Sequence, residues 1–132
     1  MSAENVELAR AAFEPWRAGR LDDFARFVAD EIEWDISGHP LPDFPDTGRG
    51  RDAFLRHMAE YAGGWVDYRA TEVELTAHGD DVLAMTHESA RMRETDVKLD
   101  RHIAIVWTVQ GGRFTRFRVY KTREDALAAL GS

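Results

Sequence analysis

The chain contains no cysteine, so disulfides, thiol nucleophiles and thiolate metal sites are excluded together. Nowhere do 18 consecutive apolar residues occur, and no helical membrane span is expected. The opening MSAENVELAR has no basic segment leading into an apolar run, which makes a cytoplasmic protein the expectation. Positive charge is in deficit: 17 Lys and Arg stand against 24 Asp and Glu, a formal net charge of −7. That balance disfavours nucleic acid and anionic membrane surfaces as partners. Neither Ser37 nor Ser89 sits in a G-x-S-x-G elbow, and GRGR at 48–51 lacks the third glycine of a dinucleotide fingerprint. His39, His57, His78, His87 and His102 form no i,i+2 or i,i+4 pair. Neither a metal nor a cofactor is expected from them.

What is present suits one soluble domain over residues 1–132, with 44% hydrophobic and 31% charged residues. Val6, Ala9, Phe13 and Trp16 recur at spacings of three and four, an apolar helical stripe that Pro15 should kink or tighten and Gly19 can stop. Leu21, Phe24, Phe27 and Val28 predict a second helix, with Asp22 and Asp23 in its first turn. Ile32 to Ile36 reads as a short strand that points Trp34 and Asp35 to opposite faces. The Pro/Gly-rich stretch from Ser37 to Gly50 reads as a long loop of the kind that forms lids. Ala53, Phe54, His57, Met58 and Tyr61 mark a third helix ending at Gly63-Gly64.

From Tyr68 to Tyr120 the sequence reads as a meander. Strands over 68–77, 82–92, 98–109 and 113–120 are joined by short turns at 78–81, around Glu94-Thr95-Asp96, and at Gly111-Gly112. Connections this short force antiparallel pairing. Alternation along Ile103, Ile105 and Trp107 supplies one buried face. Its opposite, His102, Ala104, Val106 and Thr108, is too apolar for open solvent, and a homodimer across it is expected. A short helix over Arg123–Leu130 closes the chain.

This order of elements resembles the nuclear transport factor 2-like superfamily, and within it the SnoaL-like and ketosteroid-isomerase-related proteins. The carrying residues are AFEPWRAGRLDDFARFVADEIEW, the TGRGRDAF entry to the third helix, and IVWTVQGGRFTRFRVYKTREDALAALG. The resemblance implies an α+β fold, a cone-shaped barrel whose strongly bent antiparallel sheet wraps three N-terminal helices, often dimeric, with an apolar pocket between sheet and helices. It specifies fold far better than chemistry, because one fold hosts many activities. Ketosteroid isomerases use an Asp base with an oxyanion hole of a tyrosine and a protonated Asp. Asp35 falls where that base would stand. The tyrosine has no counterpart near Ala12, Phe13 and Trp16, and Ile105 occupies the position of the second acid.

Asp35 is thus the candidate catalytic residue: a base if desolvated in a pocket, or an ordinary acid paired with an Arg such as Arg91 or Arg118. Candidate substrate-binding residues are Trp16, Phe54, Met58, Tyr61, Trp65, Ile103, Ile105, Trp107, Arg118 and Tyr120, an aromatic set suited to a hydrophobic small molecule. Alternation places Arg116 and Arg118 on one face with Phe114 and Tyr120. Three readings stand open: a small-molecule-binding domain, an acid–base enzyme (isomerase, cyclase, dehydratase or hydrolase), and a dimeric interaction subunit with a vestigial pocket. With Asp35 in the pocket, neutral or cationic ligands should bind better than anionic ones.

Overall fold

The computed structural model describes residues 2–41, 44–95 and 97–131. Pro42, Asp43 and Asp96, which the lid loop and the second meander turn include, lie outside them. The first helix, α1 (Ser2–Arg17), packs Ala9 and Ala12 into the core. Its end is closed by Gly19 at φ +77, with Gly19 N–H donating to the Trp16 carbonyl and Arg20 N–H to that of Pro15. These two bonds satisfy carbonyls that the helix end would otherwise leave unpaired, and only glycine takes this backbone conformation without strain. Proline thus tightens the final turn and does not break the helix.

The second helix, α2 (Leu21–Ala25), is shorter than the apolar spacing predicts. Val28 already belongs to strand β1 (Val28–Asp35), because it pairs in parallel with Phe114 of β6 (Arg113–Tyr120). Tertiary pairing overrides the local helical pattern there. The lid loop contains a three-residue strand, β2 (Thr47–Arg49), paired antiparallel to β1. Gly48 lies opposite Trp34, and a Cβ at Gly48 would fall 2.2 Å from the indole Cζ2. The strand is possible because the residue beneath the ring has no side chain. Trp34 Nε1 donates to the Pro45 carbonyl at 3.0 Å, tying the loop down.

Helix α3 (Arg51–Gly63) leads into β3 (Trp65–His78), β4 (Asp81–Met92) and β5 (Lys98–Gln110), the antiparallel meander completed by β6. All six strands form one curved sheet in the order β2-β1-β6-β5-β4-β3, open between its β2 and β3 edges and not closed into a barrel. Helices α1 to α3 lie on one face, over a core that includes Phe24, Phe54, Ile103, Trp107, Phe114 and Phe117. The last helix, α4 (Arg123–Gly131), lies on the other face. Its Ala126 packs on Leu83, Ala104 and Val106, so α4 covers two of the four residues on the strip from which a dimer was expected. His102 is exposed beside it. No helix among the described residues is long and apolar enough to cross a membrane.

One irregularity decides which side chains face the helices. Thr108 pairs with Arg116 but Val109 pairs with Phe114, leaving Thr115 as an extra residue in β6. Such a bulge reverses the alternation on one side of it. Phe114 and Phe117, three apart, therefore both point inward, while Arg116, Arg118 and Tyr120 occupy the outer face.

Candidate functional site

Between α1, α3 and the inner face of the sheet lies a cavity of about 40 Å³. At about 10–15 Å³ per water this is room for some three waters. Of the expected binding residues, Trp16, Met58, Tyr61, Ile103, Ile105 and Trp107 line it. Phe54 and Trp65 are buried but stand behind that lining, Phe54 against Trp107 and Phe117, Trp65 against Tyr61. Arg118 and Tyr120 are on the other face, Arg118 paired with Asp81 at 3.4 Å and Tyr120 packed beside the α4 cluster. The Thr115 bulge accounts for both misplacements. The lid loop contributes Leu41 to the cavity wall, and Phe44 to the aromatic cluster around Trp34.

Asp35 is not brought to the cavity. Trp34 takes the inward position on β1, so its neighbour faces out, beside Thr47, Arg49 and Arg116. Its carboxylate accepts bonds from the Ser37 hydroxyl at 2.6 Å and the Ser37 N–H at 3.0 Å. These bonds, with Arg116 and Arg118 nearby, hold its pKa below the ordinary value. A base needs the opposite environment.

The cavity's acids come from β3 and β4 instead. Along β4, Ala84, Thr86, Glu88 and Ala90 alternate inward, and Glu88 is 2% exposed. Register sets Ala70 of β3 on one side of it and Arg101 of β5 on the other. Arg101 Nε donates to the Glu88 carboxylate at 3.2 Å, and Arg101 Nη2 to the Tyr61 hydroxyl at 2.9 Å. Tyr61 in turn donates to Glu88 at 3.0 Å, and the Tyr68 hydroxyl also donates to it. Small Ala70 leaves room for these rings to converge. Burial, then the Glu88 charge, raises both phenol pKa values above 10, so both keep their protons. His39 closes the outer end, its Nε2 3.4 Å from Arg101 Nη1. Burial and the Arg101 charge lower its pKa, favouring a neutral imidazole that accepts this contact.

Glu72 is the second acid. Two residues from Ala70 on the same face of β3, it lines the cavity, half-buried, and accepts no hydrogen bond among the described residues. Its pKa is pushed up to about 7 by desolvation, with the charge of Arg10 on α1 pulling the other way. Arg10 is itself engaged by Glu7 on the helix surface. The two carboxyls thus differ in kind. Glu88 is charge-compensated and locked by three donors, whereas Glu72 is free to exchange a proton near neutral pH. Neither was singled out from the sequence, although the alternation of Glu88 with alanines and the adjacency of His87 and Glu88 carried the signal. Among the described residues no group of three His, Asp or Glu is placed to hold a metal ion.

The sequence profile of the SnoaL-like domain matches residues 9–117. Among curated proteins no match is found. Solved structures share the fold. A nuclear transport factor 2-like protein from Burkholderia xenovorans is 24% identical, with 100% of this chain and 98% of that chain covered and a TM-score of 0.74. A protein with a ketosteroid isomerase-like fold from Catenulispora acidiphila, in complex with trimethylamine, is 15% identical over 95% and 92% of the two chains, TM-score 0.73. An epoxide hydrolase from M. tuberculosis, of the LEH-like kind, is 16% identical over 98% and 90%, TM-score 0.72. The chain belongs to the SnoaL-like domain family.

Proposed function

We propose that this SnoaL-like domain binds a small, largely apolar organic molecule in the cavity between α1, α3 and the sheet, with Glu72 as the group that meets its polar end. The observation that carries this reading is a half-buried carboxyl without a hydrogen-bond partner among the described residues, in a largely apolar, aromatic-lined cavity. A carboxyl placed there gains nothing for the fold, since desolvation without a partner is a cost. The scaffold's use with small molecules in the trimethylamine complex and the epoxide hydrolase supports the reading. Acid–base catalysis is the second reading, favoured by the same residue. A carboxyl titrating near 7 serves as either acid or base at neutral pH, the condition for efficient proton transfer. Asp35 lies on the outer face, away from this cavity, with its pKa lowered.

A thermal-shift panel tests the binding. Neutral alcohols, amines, carboxylates and larger steroids or terpenes are compared at pH 7.5. Small neutral or cationic compounds are expected to raise the melting temperature, by several degrees when present at about 100 times their dissociation constant. Carboxylated analogues should do least, because Glu72 repels a second negative charge. Steroid-sized compounds should trail the small ones, since they far exceed the cavity's volume of about 40 Å³. A flat response to every compound would defeat the binding reading.

A further inference from the structure

We propose that the cavity selects a small organic cation, a methylated ammonium of about four non-hydrogen atoms, with Glu72 as its counter-charge and the rings of Trp16, Tyr68 and Trp107 as its walls. The proposal rests on the reading of the cavity as a binding site and adds the ligand class. Charge is the first ground. Glu88 is matched by Arg101, whereas Glu72 has no salt bridge or hydrogen bond among the described residues and feels only the charge of Arg10, which pairs with Glu7 on the helix surface. An ionised Glu72 in this largely apolar enclosure is stabilised further by a cation brought in with the ligand, since the described lining residues supply none.

Hydrogen-bonding capacity narrows the class. Tyr61 and Tyr68 spend their protons on Glu88, and Glu88 already accepts from both phenols and from Arg101. Glu72 and Thr86 carry the remaining side-chain oxygen acceptors on the lining, the indoles of Trp16 and Trp107 offering only N–H donors. A primary ammonium would bring three N–H donors to this sparse set and leave some unsatisfied. A trimethylammonium brings one N–H for Glu72 and three methyls for the rings. Aromatic faces attract such a cation through their quadrupoles, most strongly where water is excluded. Volume agrees, since space for about three waters suits four non-hydrogen atoms with small side-chain adjustments.

The charged group acting on Glu72 is Arg10 from α1. The titratable groups that share the cavity lining with it are Tyr61 from α3, Glu88 from β4 and Tyr68 from its own strand, with Arg101 and, beyond it, His39 behind Glu88. Burial and the Glu88 charge raise the pKa of both phenols, which keep their protons between pH 6 and 8. The Glu72→Gln variant assigns a change in cation affinity over that range to Glu72 and separates it from His39 at the outer end.

The test is calorimetric or NMR titration of the full chain with trimethylammonium, tetramethylammonium, neutral tert-butanol of the same shape, and pivalate. At pH 8 trimethylammonium should bind at least tenfold tighter than tert-butanol, and pivalate weakest. Tetramethylammonium, whose charge is independent of pH, should lose about tenfold in affinity from pH 8 to 6 as Glu72, with its pKa near 7, takes up a proton. In Glu72→Gln both the preference for the cation and the pH dependence should vanish. Should that variant fail to fold, the pH profile and the tert-butanol comparison in the unmodified protein decide. Equal binding of tert-butanol, tighter binding of pivalate, or a cation affinity unmoved by pH or by Glu72→Gln would overturn the ligand class while leaving a binding cavity. Absence of binding by all four compounds would instead overturn the cavity as a small-molecule site.

Discussion

Arg101→Ala is expected to lower the melting temperature by about 10–20 °C, corresponding to about 3–5 kcal/mol. Arg101 is the cation that compensates Glu88, a carboxylate that is 2% exposed, and it also donates to Tyr61. Removing it leaves a charge buried with only two phenol donors. That is far costlier than losing a surface ion pair, which is worth about 0–1 kcal/mol. Adding Glu88→Gln to Arg101→Ala removes the stranded charge and should recover part of the loss, a coupling that a double-mutant cycle measures directly. Chemical denaturation of the four proteins checks this. A loss below about 1 kcal/mol for Arg101→Ala would show that the pair is not compensating a buried charge.

Trp107→Ala should be nearly as damaging, by about 3–5 kcal/mol. The indole stacks on Phe114 with centroids 4.2 Å apart and planes at 19°, and contacts Phe117 at 4.7 Å. Those rings come from both sides of the Thr115 bulge, so the tryptophan also fastens the register that turns Phe114 and Phe117 inward. Truncation leaves an apolar void that merges with the existing cavity, and voids of this kind take up benzene-like molecules. Indole should therefore raise the melting temperature of Trp107→Ala more than that of the unmodified protein. Equal shifts in the two proteins would mean that the surrounding rings collapse into the gap.

Much of the fold was legible in the sequence. The four meander strands follow from short Gly- and Asp-containing turns between long alternating runs, and the inward set Ile103, Ile105 and Trp107 from period two alone. The placement of Asp35 was not legible. Alternation says that Trp34 and Asp35 point apart, but which one points inward depends on a parallel pairing with a strand some eighty residues away and on Gly48 making room for the indole. Arg118 and Tyr120 were misplaced because one extra residue, Thr115, reverses a strand's faces, and no local composition marks it. Glu88 was within reach, lying on an otherwise small and apolar face of β4. Its partner Arg101 becomes its neighbour only through the β4–β5 register. Glu72 was hidden more deeply. Its strand segment reads as polar, and its burial comes from α1 folding across it.

The central claim, that the cavity beside Glu72 is a small-molecule site, is tested most directly by where a bound ligand's protons lie. Nuclear Overhauser effects are measured between the methyl protons of tetramethylammonium and protein side chains at pH 8, where Glu72 is ionised. The expected result is contact with the rings of Trp16, Tyr68 and Trp107, lost in Glu72→Gln. Contacts confined to the outer face, around Asp35 or His102, or no contacts at all, would contradict it.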